Sequence, residues 1–174
     1  MPTRLENLLH YIISVVPPAE LGATKLAKIV WFSDVEYYRL HGETITKSDN
    51  YQRKDQGPLH VDFYRSVDAL KGANKITERT ATTMAGPRRE YVWIEPPQVD
   101  DFTGPEIAVV HNVINYIQPL SATQASDLTH GEPWFSALDR EAMPVRAAAV
   151  VWGEVDDDDM AWTESIAREH SAPA

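Results

Sequence analysis

The segment from Thr24 to His41 constrains the fold more than any other part of this chain. Thr24 stands at its start as a candidate cap, no Gly or Pro interrupts it, and Gly42 follows as a left-handed stop. Its apolar positions form two stripes: Leu26, Ile29, Val30, Tyr37 and Leu40 on one, and Ala27, Trp31, Val35 and Tyr38 on the other. A helix lying on a surface needs a single stripe, so two stripes mean that this helix is covered on more than one side. It is expected to be the central helix. Asp34 and Glu36 within it read as exposed positions, or as partners for Lys28 and Arg39 at helical neighbour spacing, rather than as an acid/base pair.

The remaining elements arrange themselves around that helix. Leu5, Leu8, Leu9, Ile12, Ile13 and Val16 recur at helical spacing behind the capping pair Thr3 and Glu6, and Pro17-Pro18 ends that segment. Gly57-Pro58 reads as the start of a further helix reaching Leu70. The period then changes. Ile76–Met84 is Thr-rich and Arg89–Glu95 alternates, with Gly86-Pro87 between them, so a β-hairpin is expected. An isolated hairpin is marginal in water, so its apolar face must lie on the helices or on a third short strand from residues 43–52. Helical spacing resumes with Ile107, Val110, His111, Val113, Ile114 and Ile117, and Ser121 caps a short helix ending near His130-Gly131. Glu132-Pro133-Trp134-Phe135 opens another helical turn, and Ala147–Trp152 fits either helix or strand. The class is mainly α (α+β): a compact helical domain around a central helix with a small antiparallel β element.

Composition narrows the function. A chain of 174 residues with five Trp and seven Tyr can bury one sizeable core and is short for two domains. The formal net charge of −10 disfavours nucleic acid as a partner, because neutralising phosphates takes a concentrated basic surface. It favours basic proteins, or serves solubility alone. The absence of cysteine excludes disulfides and thiolate chemistry and fits a reducing cytoplasm. The apolar runs are too short to span a bilayer. No phosphate loop, zinc pair or nucleophile elbow occurs, and the six His are scattered, so neither a catalytic set, a metal site nor a cofactor is expected. Asp156–Asp159 reads as a solvated acidic face or the start of a last helix rather than a cation site.

Two groups of residues stand out. Tyr51, Arg53 and Gln56, with Tyr64 and Arg65, combine aromatic and guanidinium side chains near an expected loop and helix start, the residue types that carry energy at protein interfaces. Tyr64 can equally complete the core, and Tyr51 less readily so. His130 sits between a helix end and Trp134, where it can satisfy terminal carbonyls; the chemical alternative is a small hydrolase pairing His130 with Asp127 or Glu132.

Lys25-Leu26-Ala27-Lys28-Ile29-Val30-Trp31-Phe32 followed by Leu40-His41-Gly42 resembles the opening signature of the Panacea (SocA-like) antitoxin domain family. Gln56-Gly57-Pro58-Leu59 with Phe63-Tyr64, and Leu120-Ser121-Ala122 through His130-Gly131-Glu132-Pro133-Trp134, resemble its later motifs in the same order. Trp31 stands where the family commonly has Tyr, and Gln56 where it commonly has an aromatic. The likeness covers about residues 5–150. It implies a domain over residues 1–155, with 156–174 an acidic segment and C-terminal helix or tail packed on it or extending from it. It implies structural roles for the motif residues Lys25, Leu26, Trp31, Phe32, Gly42, Gly57, Pro58, His130, Pro133 and Trp134. It further implies a non-enzymatic antitoxin that binds a cognate toxin encoded by the adjacent gene, or an adaptor that hands the toxin to an ATP-dependent protease.

Overall fold

The computed structural model describes residues 2–83 and 86–151. Helix α1 (Arg4–Val15) starts at the expected cap: the Thr3 side chain accepts from Glu6 N–H, and the Glu6 carboxylate accepts from Thr3 N–H. Helix α2 (Pro18–His41) is the central element and ends at Gly42, whose φ of 74° is the left-handed stop. Its beginning differs from expectation. The chain enters the helix at Pro18, breaks the helical path at Gly22 (φ 66°, ψ 165°) and then runs on uninterrupted. Thr24 therefore caps nothing, and its hydroxyl donates to the Gln56 side-chain oxygen instead (3.0 Å).

Short strands β1 (Tyr51–Gln52) and β2 (Leu59–His60) pair antiparallel, Tyr51 opposite His60. Gly57-Pro58 thus belongs to the turn of this small hairpin, and α3 (Phe63–Gly72) starts later than the sequence suggests. Gly57 N–H donates to Lys54 C=O (2.8 Å) at a φ of 97°, which only glycine adopts without strain. The other side of β1 is held by the segment 140–143: Met143 N–H donates to Tyr51 C=O (2.8 Å) and Arg53 N–H to Glu141 C=O (2.9 Å).

Strands β3 (Ile76–Thr83) and β4 (Gly86–Trp93) form the larger hairpin, in register from Ile76 opposite Trp93 to Thr83 opposite Gly86. Gly86 and Pro87 open β4 instead of standing between the strands. A two-stranded ladder has free edges, so a proline there leaves no buried acceptor orphaned. Residues 43–52 do not extend this sheet. The hairpin lies on α1 and α2 and buries Ile76 and Tyr91.

Helix α4 (Gly104–Ile117) has its own capping box from Thr103 and Glu106, and Arg4 ties it to α1 through the Glu106 carboxylate (2.6 Å). Helices α5 (Ala122–Asp127), capped by Ser121, and α6 (Glu132–Ser136) follow, and α7 (Val145–Val151) settles the stretch from Ala147 as helical as far as it is described. Helices α1, α4, α5 and α7 and strands β2 and β4 all pack on α2. That enclosure is why even its Lys28, Ser33 and Asp34 are buried, while Leu40, assigned to an apolar stripe, is 53 % exposed near the helix end. The run Asp156–Asp159 lies outside the described residues. No helix among those described is long and apolar enough to cross a membrane.

Candidate functional site

The central helix carries two ionisable groups into the interior. Asp34, expected at the surface, is fully buried: its carboxylate accepts from Thr46 N–H (2.9 Å), the Thr46 hydroxyl (2.5 Å) and the Tyr51 hydroxyl (2.7 Å). Burial pushes this carboxyl up to about 6, against the pull of the hydrogen bonds from Thr46 and Tyr51. Burial also raises the Tyr51 phenol well above its usual range, with the Asp34 charge adding to it. Trp31 and His60 pack edge-on against the Tyr51 ring at 4.7 and 5.1 Å. This network is a structural pin between α2 and β1.

Lys28 lies elsewhere along α2, 2 % exposed, and its ammonium reaches the Pro58 carbonyl at 3.4 Å. It pairs with neither Asp34 nor any other carboxylate among the described residues. Burial alone pushes it down to about 7. The other expected pair forms: Arg39 meets Glu36 at 2.6 Å on the outer face.

Lys28 lines a cavity of about 420 Å3, fenced by α2 (Ala23, Thr24, Ala27), the 54–57 turn and Tyr64 of α3, with Asp139 and Arg140 on the remaining side. Long-range contacts hold the turn. The Ser126 hydroxyl donates to Gln56 C=O (2.7 Å) and the Trp134 indole N–H to Lys54 C=O (2.9 Å). Arg53 donates to Trp134 C=O (3.1 Å) and lays its guanidinium 4.1 Å from the indole centre, while the His130 ring stacks on the same indole at 3.9 Å.

The structure divides the five interface candidates. Gln56 and Tyr64 line the cavity and are exposed, and Arg65, 77 % exposed and paired with Asp62, stands beside Tyr64 on α3. Tyr51 does not join them, because it is core. Arg53 is half-buried and committed to Trp134. Of the motif residues, Leu26, Trp31 and Phe32 are core, Lys25 donates to Gln118 C=O (2.8 Å), and Gly57-Pro58 and Trp134 shape the turn. His130 Nδ1 stands 3.9 Å from Asp127 Oδ1, beyond hydrogen-bond reach, and its Nε2 is buried without a partner among the described residues, so the ring is stacked on Trp134 and not hydrogen-bonded to Asp127. Among the described residues no cluster of three or more His, Asp or Glu is arranged to hold a metal.

Sequence reasoning did not reach Lys28, Lys54, Asp139 or Arg140 as cavity residues. For Lys28 a signal existed: a helix striped on two sides has little solvent face left, so its polar positions are candidates for enclosure. Nothing local marks Asp139 and Arg140, which arrive through the pairing of residues 140–143 with β1.

The fold and the cavity together define a mainly helical α+β domain with a polar recess fenced by a hairpin turn. The chain belongs to the SocA-like antitoxins with the Panacea domain, whose family model matches residues 26–135, from within α2 to within α6. That match includes Lys28, the Asp34 network, the 54–57 turn, Tyr64 and Trp134. No curated protein and no solved structure matches the chain.

Proposed function

We propose that this chain is the antitoxin of a toxin–antitoxin pair and neutralises its cognate toxin in the cytoplasm by direct protein–protein binding. The observation that carries the reading is the family match over residues 26–135. The contact surface is built from the cavity rim, Lys54, Gln56 and Tyr64, and from Arg65 next to it on α3. A polar recess ringed by an aromatic and flexible cations, on a rigid turn pinned by Trp134, is the kind of concave anchor around which interface energy concentrates. The net charge of −10 adds long-range steering toward a basic toxin.

Co-expression with the product of the adjacent open reading frame tests this. The expected result is relief of growth arrest and co-purification of a stoichiometric complex. Persistent arrest with no complex overturns it. The partner's half-life separates neutralisation from delivery to a protease: a toxin that persists in the complex fits the first, and one that disappears in a protease-dependent manner assigns the chain to adaptors.

A further inference from the structure

We infer that the cavity beside the 54–57 turn is a carboxylate-binding site, with the Lys28 ammonium as its buried cation and an acidic residue of the bound toxin as its occupant. The assignment of the occupant rests on the antitoxin reading; the site itself does not.

Lys28 lacks a counter-ion among the described residues. An ammonium carries three donors, and the Lys28 ammonium has one long contact, 3.4 Å to the Pro58 carbonyl. No carboxylate of the described residues lies within ion-pair distance of it. A cation enclosed without a counter-ion is unfavourable, because protein dipoles replace its hydration poorly. Its displaced titration follows from that isolation: burial is the sole cause, with no neighbouring charge contributing.

Space has been kept beside the ammonium. Gly57 has no side chain, and a Cβ placed there would stand 2.5 Å from Lys28 Nζ. On the open side is a cavity of about 420 Å3, ample for a carboxylate and its stem. The lining sets the ligand's charge. Among the described residues Lys28, Lys54 and Arg140 face Asp55 and Asp139, so one surplus positive charge awaits a single negative one, and the two aspartates disfavour a dianion such as phosphate. Because the Thr24 hydroxyl occupies the Gln56 side-chain oxygen, the Gln56 amide nitrogen remains as a neutral donor at the mouth.

A bound carboxylate favours the charged lysine, so binding takes up a proton once the free ammonium has been lost. Affinity is therefore level between the ordinary carboxyl range of about 4–5 and pH about 7, and falls about tenfold per pH unit above it. Among the described residues, the other charged or titratable groups around the cavity are Lys54, Asp55, Tyr64, Asp139 and Arg140, and no histidine lines it, so a step near neutrality belongs to Lys28.

Acetate is the probe, followed through the Lys28 side-chain NMR signals, assigned with Lys28→Met, and through the backbone amide signals of Gln56 and Gly57, which report the cavity response in both the full chain and the variant. The expected result is a saturable acetate response at pH 6, an upward shift of the Lys28 titration with acetate present, and loss of the cavity response in Lys28→Met. A response that never saturates, a Lys28 titration indifferent to acetate, or the same cavity response in Lys28→Met overturns the site. The toxin arm then names the source. Toxin that displaces acetate, and binds Lys28→Met about 10–100-fold more weakly, supplies the carboxylate itself. Toxin that binds without displacing acetate overturns that occupant and leaves a site for a free small carboxylate. Saturable acetate binding with no toxin complex refutes the antitoxin reading alone, and a tight toxin complex with no saturable acetate response refutes the carboxylate site alone.

Discussion

Gly57→Ala tests whether the turn that fences the cavity depends on the absence of one side chain. Two separate penalties follow from the geometry. At a φ of 97° an L-residue sits in a sparsely populated region, at about 1–3 kcal/mol. The new Cβ would also overlap the Thr129 hydroxyl oxygen, 3.1 Å from Thr129 Cβ and 2.5 Å from Lys28 Nζ. Lys28 is the far end of a flexible chain and can yield, but Thr129 is buried with its hydroxyl bonded to Ser126 C=O at 2.6 Å, so overpacking adds about 1–3 kcal/mol. The expected loss is about 4 kcal/mol, a large share of the roughly 5–15 kcal/mol that holds a domain of this size together. Urea unfolding of the two single variants and the double variant measures it. Thr129→Ala removes the overlapping oxygen, so in the Gly57→Ala background it should cost less than alone, or restore stability, by about 1–2 kcal/mol of coupling. A Gly57→Ala loss below about 1 kcal/mol, or strictly additive variants, refutes the claim that the Gly57 contact fixes the turn.

Three further outcomes follow. Lys28→Met should raise stability at neutral pH by about 1–4 kcal/mol, since removing an unpaired buried cation relieves its desolvation. The folded-state value of about 7 lies below the ordinary 10.5, so the unfolded chain binds the extra proton between them and wild-type stability climbs with pH across that window; a variant retaining that climb refutes the assignment. For Asp34 the displacement is upward, from 3.8 to about 6, so the native state holds the extra proton and stability falls by about 3 kcal/mol as pH rises through that range. In Asp34→Asn a series of urea transitions between these pH values should show that fall removed, and an unchanged slope argues against a buried carboxylate. Arg53→Glu and Arg65→Glu should part company: the first loses its Trp134 contacts and costs about 2 kcal/mol in thermal or urea unfolding, while the second stays within about 0.5 kcal/mol and weakens toxin association instead. Equal stability of the two variants contradicts the structural role of Arg53.

Signals that act within a turn or two of chain were readable in advance. Thr3 with Glu6, Ser121 and Gly42 each fix a helix end through their own backbone neighbours, and each stands where the sequence places it. Ambiguity entered where one residue type serves two geometries. Gly-Pro opens a helix or completes a turn with the same backbone preference at proline, and at Gly57-Pro58 the choice was made by the pairing of Tyr51 with His60, a long-range contact without a local mark. Thr24 lost its capping role in the same way, because the Gly22 break lets the helix begin before it. The pairing also moved Tyr51 and Arg53 out of the candidate surface: a strand held on both sides, by β2 and by residues 140–143, turns one of them into the core and the other onto Trp134.

Harder to read was which polar residues of the central helix end up inside. A periodicity count treats Lys28 and Asp34 alike, as charges between apolar stripes, yet their fates are opposite. Asp34 meets three donors carried by Thr46 and Tyr51, and its burial is thereby partly compensated. Lys28 meets one distant carbonyl and an open cavity, and its burial is not. Both were brought in by the same covering of α2 on several sides, so enclosure alone does not explain the difference. A chain selected for stability alone gains by replacing Lys28 with an apolar residue, whereas a chain that must offer a cation in a shaped recess has reason to keep it. The destabilising lysine beside a side-chain-free glycine is thus a feature that packing among the described residues does not account for, and that the proposed carboxylate site does.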